Sequence, residues 1–248
     1  MQKYNEDIEY LKKYIKEQNL DESYFNKCKE ELLKGKPIQY IIGNVNFYGN
    51  IINVNENVLI PRFETELLCE KTINKIKKMF NKQVDILDLG TGSGCIAITL
   101  KKELDCNVDA VDISNEALEV AKNNAINNST NINFINADMT EYKDKKYDVI
   151  ISNPPYIRYD EEIMDIVKNN EPNIALYAKD EGLYFYKKII DNIPYITNNN
   201  YIVAFEIGEE QGNSISMYAS KRLNNVSITI EKDLQGKERF VFICKVEE

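Results

Sequence analysis

The sequence predicts an α/β fold, a Rossmann-like and mostly parallel sheet wrapped by helices and finished by an antiparallel pair of strands. Three observations carry that prediction. From Val84 onward, short apolar runs alternate with helix-patterned segments, the signature of successive strand–helix units. The first apolar run leads straight into Leu89-Gly90-Thr91-Gly92-Ser93-Gly94, a glycine turn of the kind that opens nucleotide-binding units. The last two apolar runs are separated only by Asp233 to Lys237, a connection that suits antiparallel neighbours and is too short for a parallel crossover.

Tyr4, Ile8, Leu11 and Ile15 recur at helical spacing, as do Phe25, Cys28, Leu32 and Leu33 in a second segment closing at Gly35. Two amphipathic helices are therefore expected to form a short N-terminal segment over residues 1–36. Val45 to Phe47 and Ile51 to Val54 flank Gly49-Asn50 and suggest a hairpin in a linker over 37–60. The main domain is expected over 61–248, opening with a helix over 64–80. Next come strand 84–88, helix 95–104, strand 107–112, helix 115–127 and strands 132–136 and 147–152. After a loop-rich insertion around Glu171-Pro172, the pattern gives helix 181–192, strand 201–207, helix 209–223 and strands 226–231 and 239–246. Ligands of such sheets sit at the carboxyl ends of the strands, where Gly90, Asp112, Asp138 and Asn153 fall.

Composition narrows the chemistry. The chain has no histidine, which removes Ser-His-Asp and Cys-His catalysis and every His-ligated metal site. Its five cysteines include no CxxC pair, and MQKYNEDIEY at the N-terminus carries no apolar signal region. A reduced, cytoplasmic protein without disulfides or metal is expected, and no apolar run is long enough to cross a membrane. With a net charge of −9, the chain is a poor general binder of nucleic acid, which needs clustered Lys and Arg. That acidity suits a basic protein partner and a cationic small molecule, or it serves solubility alone. The many asparagines look like compositional bias.

Two motifs remain. The run Val84 to Asp88, the glycines Gly90, Gly92 and Gly94 with Thr91 and Ser93 between them, and Asp112, 20 residues beyond Gly92, form a nucleoside site in which Asp112 accepts from ribose hydroxyls. The third glycine comes too early for a dinucleotide fingerprint and no arginine stands near Asp112, which favours S-adenosylmethionine over a pyrophosphate ligand. The second motif is Asn153-Pro154-Pro155-Tyr156 at the end of strand 147–152. Two prolines stiffen the loop and leave carbonyl acceptors without competing donors, a frame for a flat group bearing an NH2. On local pattern alone it is equally a strand-ending turn.

With these motifs stand Pro37-Ile38-Gln39-Tyr40-Ile41-Ile42-Gly43, Phe47-Tyr48-Gly49, Ile60-Pro61-Arg62, Glu64-Thr65-Glu66, Glu171-Pro172, Gly182-Leu183, Glu206-Ile207-Gly208 and Lys232-Asp233-Leu234 with Gly236 and Arg239. Together they resemble the protein-(glutamine-N5) methyltransferases that modify the GGQ glutamine of peptide chain release factors. The likeness runs from about residue 37 to the C-terminus. PIQYIIG and IPRFETE set it apart from adenine-N6 methyltransferases that share NPPY, whereas glutamine methylation of a ribosomal protein would use the same site. Two departures stand out: Phe63 replaces the family's usual proline after IPR, and about 36 residues precede PIQY where relatives carry a longer helical domain.

The resemblance implies a class I methyltransferase fold, seven-stranded with an antiparallel last strand, and a monomer acting on release factors without directly binding nucleic acid or membrane. It implies that Asp88, Gly90, Thr91, Gly92, Ser93, Gly94, Asp112, Asp138, Met139 and Asn153 hold the cofactor, with Asp138 and Met139 beside adenine. By pattern alone Asp138 is equally a loop-capping acid. Asn153, Pro154, Pro155 and Tyr156 would bind the substrate, and Asn153, Pro154 and Tyr156 would act in catalysis. Tyr156 either stacks on the amide plane or serves as a core aromatic. Arg62 and Glu64 either line the approach to the site or form an ion pair at the start of their helix.

Overall fold

The computed structural model describes residues 5–247. Helices α1 (Asn5–Glu17) and α2 (Glu22–Leu33) open the chain. Asp21 caps α2, its side chain accepting the Tyr24 N–H at 2.8 Å, which satisfies one orphan donor of the first turn. Leu11, Ile15, Cys28 and Leu32 form a small core with Ile38. Leu33 departs from the sequence expectation: at the last position of α2 it turns outward and is 49% exposed. Tyr4 lies outside the described residues.

Between residues 37 and 60 the chain forms a five-residue helix, α3 (Ile38–Ile42), that strand and hairpin patterns had not indicated. The hairpin follows, β1 (Asn44–Phe47) paired antiparallel with β2 (Asn50–Asn53). Its turn is Tyr48-Gly49 rather than Gly49-Asn50, with φ of 50° and 77°, the doubly positive pair that a two-residue hairpin loop needs.

Helix α4 (Phe63–Met79) buries Thr65, Leu68, Cys69, Thr72, Ile73 and Ile76, one continuous stripe at helical period. The main sheet then builds from β3 (Val84–Leu89), α5 (Cys95–Glu103), β4 (Cys106–Asp112), α6 (Asn115–Asn127), β5 (Asn133–Asn136) and β6 (Tyr147–Ser152). A short helix, α7 (Asp165–Lys168), and a 3-10 turn (Asn173–Ala175) punctuate the insertion. Then come α8 (Tyr184–Ile196), β7 (Thr197–Glu206), α9 (Gly212–Arg222), β8 (Ser227–Lys232) and β9 (Glu238–Lys245).

The seven strands order as β5-β4-β3-β6-β7-β9-β8. Strands β5 through β7 run parallel, and β9 is antiparallel to both β7 and β8. This is the class I methyltransferase order expected from the resemblance. Residues alternate strictly between two cores: Ile202, Ala204, Phe240 and Phe242 face α4, α5, α6 and the hairpin, while Val203, Phe205, Val241 and Ile243 face α8 and α9. A sheet covered on both faces reads as near-continuous apolar runs, as these strands do.

Helices α8 and α9 each start three residues later than expected, and two other boundaries shift for physical reasons. Helix α8 runs past Pro194 to Ile196, because Ile189, Ile190, Ile193 and Ile196 keep the apolar stripe buried and outweigh one lost backbone bond in the last turn. Strand β7 starts at Thr197, paired with Tyr147, and slips register before Val149 meets Ile202. The polar run Asn198 to Asn200, which reads as a turn, is absorbed by that irregularity.

Candidate functional site

The chain leaves β3 for β4 and β5 on one side, then returns to β6 and β7 on the other. The carboxyl ends of β3, β4 and β6 therefore meet at a topological switch point, the general ligand position of open α/β sheets. A cavity of about 330 Å³ opens there, and Gly90, Thr91, Gly92, Ser93, Asp112, Asp138, Met139, Asn153 and Pro155 are among its lining residues.

The glycine turn is held from below and from the side. Gly90 has φ of 75°, and a Cβ there would stand 2.7 Å from the Met139 Cε, so the turn and the 138–140 loop pack directly against each other. Gly94, with φ of 81°, sits where a Cβ would lie 3.1 Å from that of Ala121, which lets α6 close on the start of α5. The Asp112 Oδ2 accepts the Gly92 N–H at 2.9 Å and its Oδ1 accepts the Ser114 N–H at 3.0 Å. Burial raises the Asp112 carboxyl from its ordinary value, opposed by those backbone donors.

Asp88 lies beneath this turn instead of lining the cavity. It is fully buried, its Oδ2 accepting the Thr91 hydroxyl at 2.6 Å, while Oδ1 has no hydrogen-bond partner. Burial pushes its carboxyl up to about 7, the Thr91 bond opposing, the Asp112 charge adding and the Ala97 backbone N–H opposing more weakly. Gly94 is also set back from the cavity lining. In the adjoining loop, the Asp138 Oδ1 accepts both the backbone N–H and the hydroxyl of Thr140 at 2.8 Å. It caps its own loop and still lines the cavity.

Asn153 ends β6 at the cavity, and its Nδ2 donates to the Thr65 Oγ1 at 3.2 Å. Thr65 in turn donates to the Glu206 Oε2 at 2.7 Å. Among the described residues no donor reaches the Asn153 Oδ1 or the Pro154 carbonyl. Pro154 and Tyr156 do not line the cavity; the Tyr156 ring packs against the core on the α8 and α9 side. Its phenol is raised, chiefly by burial, and its carbonyl accepts from the Gln211 Nε2 at 3.0 Å. Tyr156 thus takes the core-aromatic position here, and the aromatic residues that line the cavity are Tyr159, Tyr177, Tyr184 and Phe185.

Several supporting residues escaped sequence reasoning. Asn124, fully buried in α6, accepts the Asn53 N–H at 2.8 Å and donates to the Asn53 and Ser93 carbonyls, each at 2.9 Å. It ties the hairpin to the glycine turn. Asn192 in α8 donates to the Thr140 carbonyl at 2.7 Å and steadies the Asp138 loop. Both are amides on otherwise apolar helix faces, and that break in pattern was the available signal, which reading asparagine as compositional bias passed over. Arg62 forms an ion pair, with Glu171 of the insertion rather than with Glu64. The Glu171 side chain is 1% exposed, and its second oxygen accepts the Ile60 N–H at 3.1 Å.

The site fits S-adenosylmethionine. The turn at Gly92 has open space where a Cβ would stand, leaving the backbone free for close approach, and Asp112 offers a carboxylate to vicinal hydroxyls. Ile113, Ala117 and Met139 supply apolar surface for a flat base. Among the described residues no group of His, Cys, Asp or Glu could hold a metal ion, and no helix is long and apolar enough to cross a membrane.

Comparison with known proteins agrees with this geometry. The family described as methyltransferase small domain matches residues 64–170. The release factor glutamine methyltransferase of Bacillus subtilis is 40% identical over 230 residues, 89% of this chain and 80% of that protein. The same enzyme of Flavobacterium psychrophilum is 41% identical over 218 residues, 85% of this chain and 76% of its own length. Among solved structures, the release-factor-specific protein-(glutamine-N5) methyltransferase of Alicyclobacillus acidocaldarius superposes with a TM-score of 0.50 at 26% identity, covering 78% of this chain and 98% of that one. The chain belongs to the release factor glutamine methyltransferases.

Proposed function

We propose that this protein transfers the methyl group of S-adenosylmethionine to the side-chain amide nitrogen of the GGQ glutamine in peptide chain release factors. It acts as a monomer in the cytoplasm, on a protein and not on nucleic acid. Residues 1–36 serve as a helical segment, 37–60 as a linker and 61–248 as the catalytic domain. The observation that carries the reading is the Asn153 Oδ1, an acceptor without a protein partner on a residue that lines the cavity, with the unpartnered Pro154 carbonyl next to it in the same loop.

S-adenosylmethionine supplies an electrophilic methyl group. Gly90, Thr91, Gly92, Ser93 and Gly94 would hold its methionine part, with Asp88 bracing Thr91. Asp112 would accept from the ribose hydroxyls, and Asp138 and Met139 would hold the adenine. A carboxamide nitrogen is a weak nucleophile because its lone pair is delocalised into the carbonyl. Asn153 Oδ1 and the Pro154 carbonyl each accept one N–H of the glutamine amide and fix that lone pair toward the methyl group. As the new N–C bond forms and the methyl–sulfur bond breaks, its electron pair staying on the departing thioether sulfur, those N–H groups grow more acidic and both hydrogen bonds strengthen, which stabilises the transition state selectively. The proton leaves after transfer, so no general base is needed. Pro155 stiffens the loop, and Tyr156 anchors it through its half-buried ring and its bond from Gln211.

The test is to incubate the enzyme with labelled S-adenosylmethionine and with release factor, ribosomal proteins or adenine-containing nucleic acid, then locate the methyl by mass spectrometry. Label on the GGQ glutamine is expected, and label on nucleic acid alone would overturn the reading. Asn153→Ala should lower kcat by on the order of a hundredfold with the fold intact.

A further inference from the structure

An asparagine side chain is almost symmetric in shape. The prolines fix where the Asn153 amide sits, but they do not decide which end faces the cavity. That choice decides whether the site works, because a substrate NH2 meeting the Asn153 NH2 would set donor against donor. Rotating the amide by half a turn changes no volume, so packing cannot make the choice. Hydrogen bonding must.

From the arrangement around Asn153 we propose that Thr65 and Glu206 form a two-step relay that fixes the Asn153 amide with its oxygen toward the methyl acceptor. Both are thus positioning residues for the transfer. The inference rests on the reading of Asn153 as acceptor for the substrate amide. Its logic is the direction of each bond. An ionised Glu206 only accepts, so at 2.7 Å the Thr65 hydroxyl must donate to it. With its single proton committed, Thr65 Oγ1 is purely an acceptor toward Asn153, and only the Nδ2 end can satisfy it, at 3.2 Å. The Oδ1 end is then turned away from Thr65. The three residues come from the first turn of α4, the end of β6 and the end of β7, brought together only at the sheet edge.

Burial makes the arrangement selective. Thr65 is 3% and Glu206 2% exposed, which shields the bond between them from water, while the Thr65–Asn153 bond lies at the cavity wall. A buried carboxylate is a poor means of stabilising a fold compared with an apolar side chain, which argues that the acid at 206 serves the site. The groups acting on it are Arg239 from β9, Arg62 before α4 and Glu64 within it; the Tyr156, Tyr186, Cys69 and Cys95 side chains in turn sense its charge. Burial raises its carboxyl to about 7, with the Thr65 bond and the two arginines opposing and Glu64 adding. A protonated Glu206 can donate to Thr65, whose proton is then free to turn to Asn153 Oδ1. The relay runs backwards and the amide inverts.

The experiment compares Thr65→Val, Thr65→Ser, Glu206→Gln and Asn153→Ala with the unaltered enzyme, using release factor as substrate and calorimetry for S-adenosylmethionine affinity. Thr65→Val keeps the shape and removes both bonds. Its kcat is expected to fall ten- to a hundredfold, with KM and cofactor affinity within about threefold. Thr65→Ser restores most of that loss. The unaltered enzyme should show an acid limb in kcat near pH 7, which Glu206→Gln lacks. Side-chain amide resonances of Asn153 in the free protein, identified by their loss in Asn153→Ala, should shift in Thr65→Val and return in Thr65→Ser. If Thr65→Val folds poorly, the acid limb and its absence in Glu206→Gln decide the matter. Impaired Asn153→Ala together with full turnover in Thr65→Val, or an acid limb kept in Glu206→Gln, overturns the relay alone. Full turnover in Asn153→Ala overturns the acceptor reading beneath it.

Discussion

Replacing Asp88 with asparagine should remove a specific pH dependence from the stability of this protein. The carboxyl is fully buried, and burial lifts it from 3.8 to about 7. A carboxyl raised in the folded state holds a proton that the unfolded chain has already released. Its contribution to stability is thus fully present below about pH 4 and is lost as pH rises through about 7. At about 1.4 kcal/mol per pH unit the full loss is about 4 kcal/mol, and the larger part of it falls between pH 5 and pH 8. Asp88→Asn keeps an oxygen to accept from Thr91 and adds an NH2 with no partner, a penalty of about 1 to 3 kcal/mol that does not vary with pH. Urea unfolding of both proteins at pH 5 and pH 8 separates the two effects. The unaltered protein should weaken relative to the variant by about 2 to 3 kcal/mol over that interval. Parallel pH dependences would show that Asp88 ionises normally and that the orphaned Oδ1 meets water or a donor in solution.

Asp112→Ala should weaken S-adenosylmethionine binding by about 1.5 to 3 kcal/mol in calorimetry; because Asp112 also anchors the Gly92 and Ser114 N–H groups, faster amide exchange in the glycine turn should accompany the loss. Asn124→Ala strips partners from Asn53 and Ser93 in a buried setting and should cost about 3 kcal/mol in chemical denaturation. Phe63→Pro should instead stabilise the protein by about 0.5 to 1 kcal/mol without changing turnover. Phe63 is the first residue of α4, is 56% exposed, and follows Arg62 at φ −104° and ψ 155°, a conformation that a residue before proline adopts freely. A lower melting temperature for Phe63→Pro would refute that account.

The sheet was legible in the sequence because its strands are buried on both faces and its punctuation is chemical. Val84 to Leu89 ends in glycines, and Tyr147 to Ser152 ends in Asn-Pro-Pro. What escaped was short or ambiguous. Helix α3 is too brief to show a period, Leu33 sits at a helix end where the stripe rotates away, and the Thr197 start of β7 lies behind three asparagines that locally favour a turn. In the site, motif residues could be named from spacing alone, but their partners could not. Nothing nearby in the chain announces Thr65, 88 positions from Asn153, or Gln211, 55 positions from Tyr156, and Tyr156 could be assigned to core or cavity only once α8 and α9 were in place.

Those partners share a physical character. Asn124, Asn192, Thr65 and Glu206 are polar residues at positions where the surrounding pattern calls for an apolar one, and each holds a loop at the carboxyl edge of the sheet. Burying an amide, hydroxyl or carboxylate is unfavourable unless it is hydrogen-bonded, so such a residue persists in a core only where its partners are fixed. The converse is the useful inference. A loop that must present backbone or amide acceptors to a ligand cannot be held by those same acceptors, and apolar contacts cannot set their direction. It has to be held from behind, by polar side chains reaching out of neighbouring helices and strands. In this protein the motifs face the ligands, while the breaks in hydrophobic periodicity mark the residues that aim them.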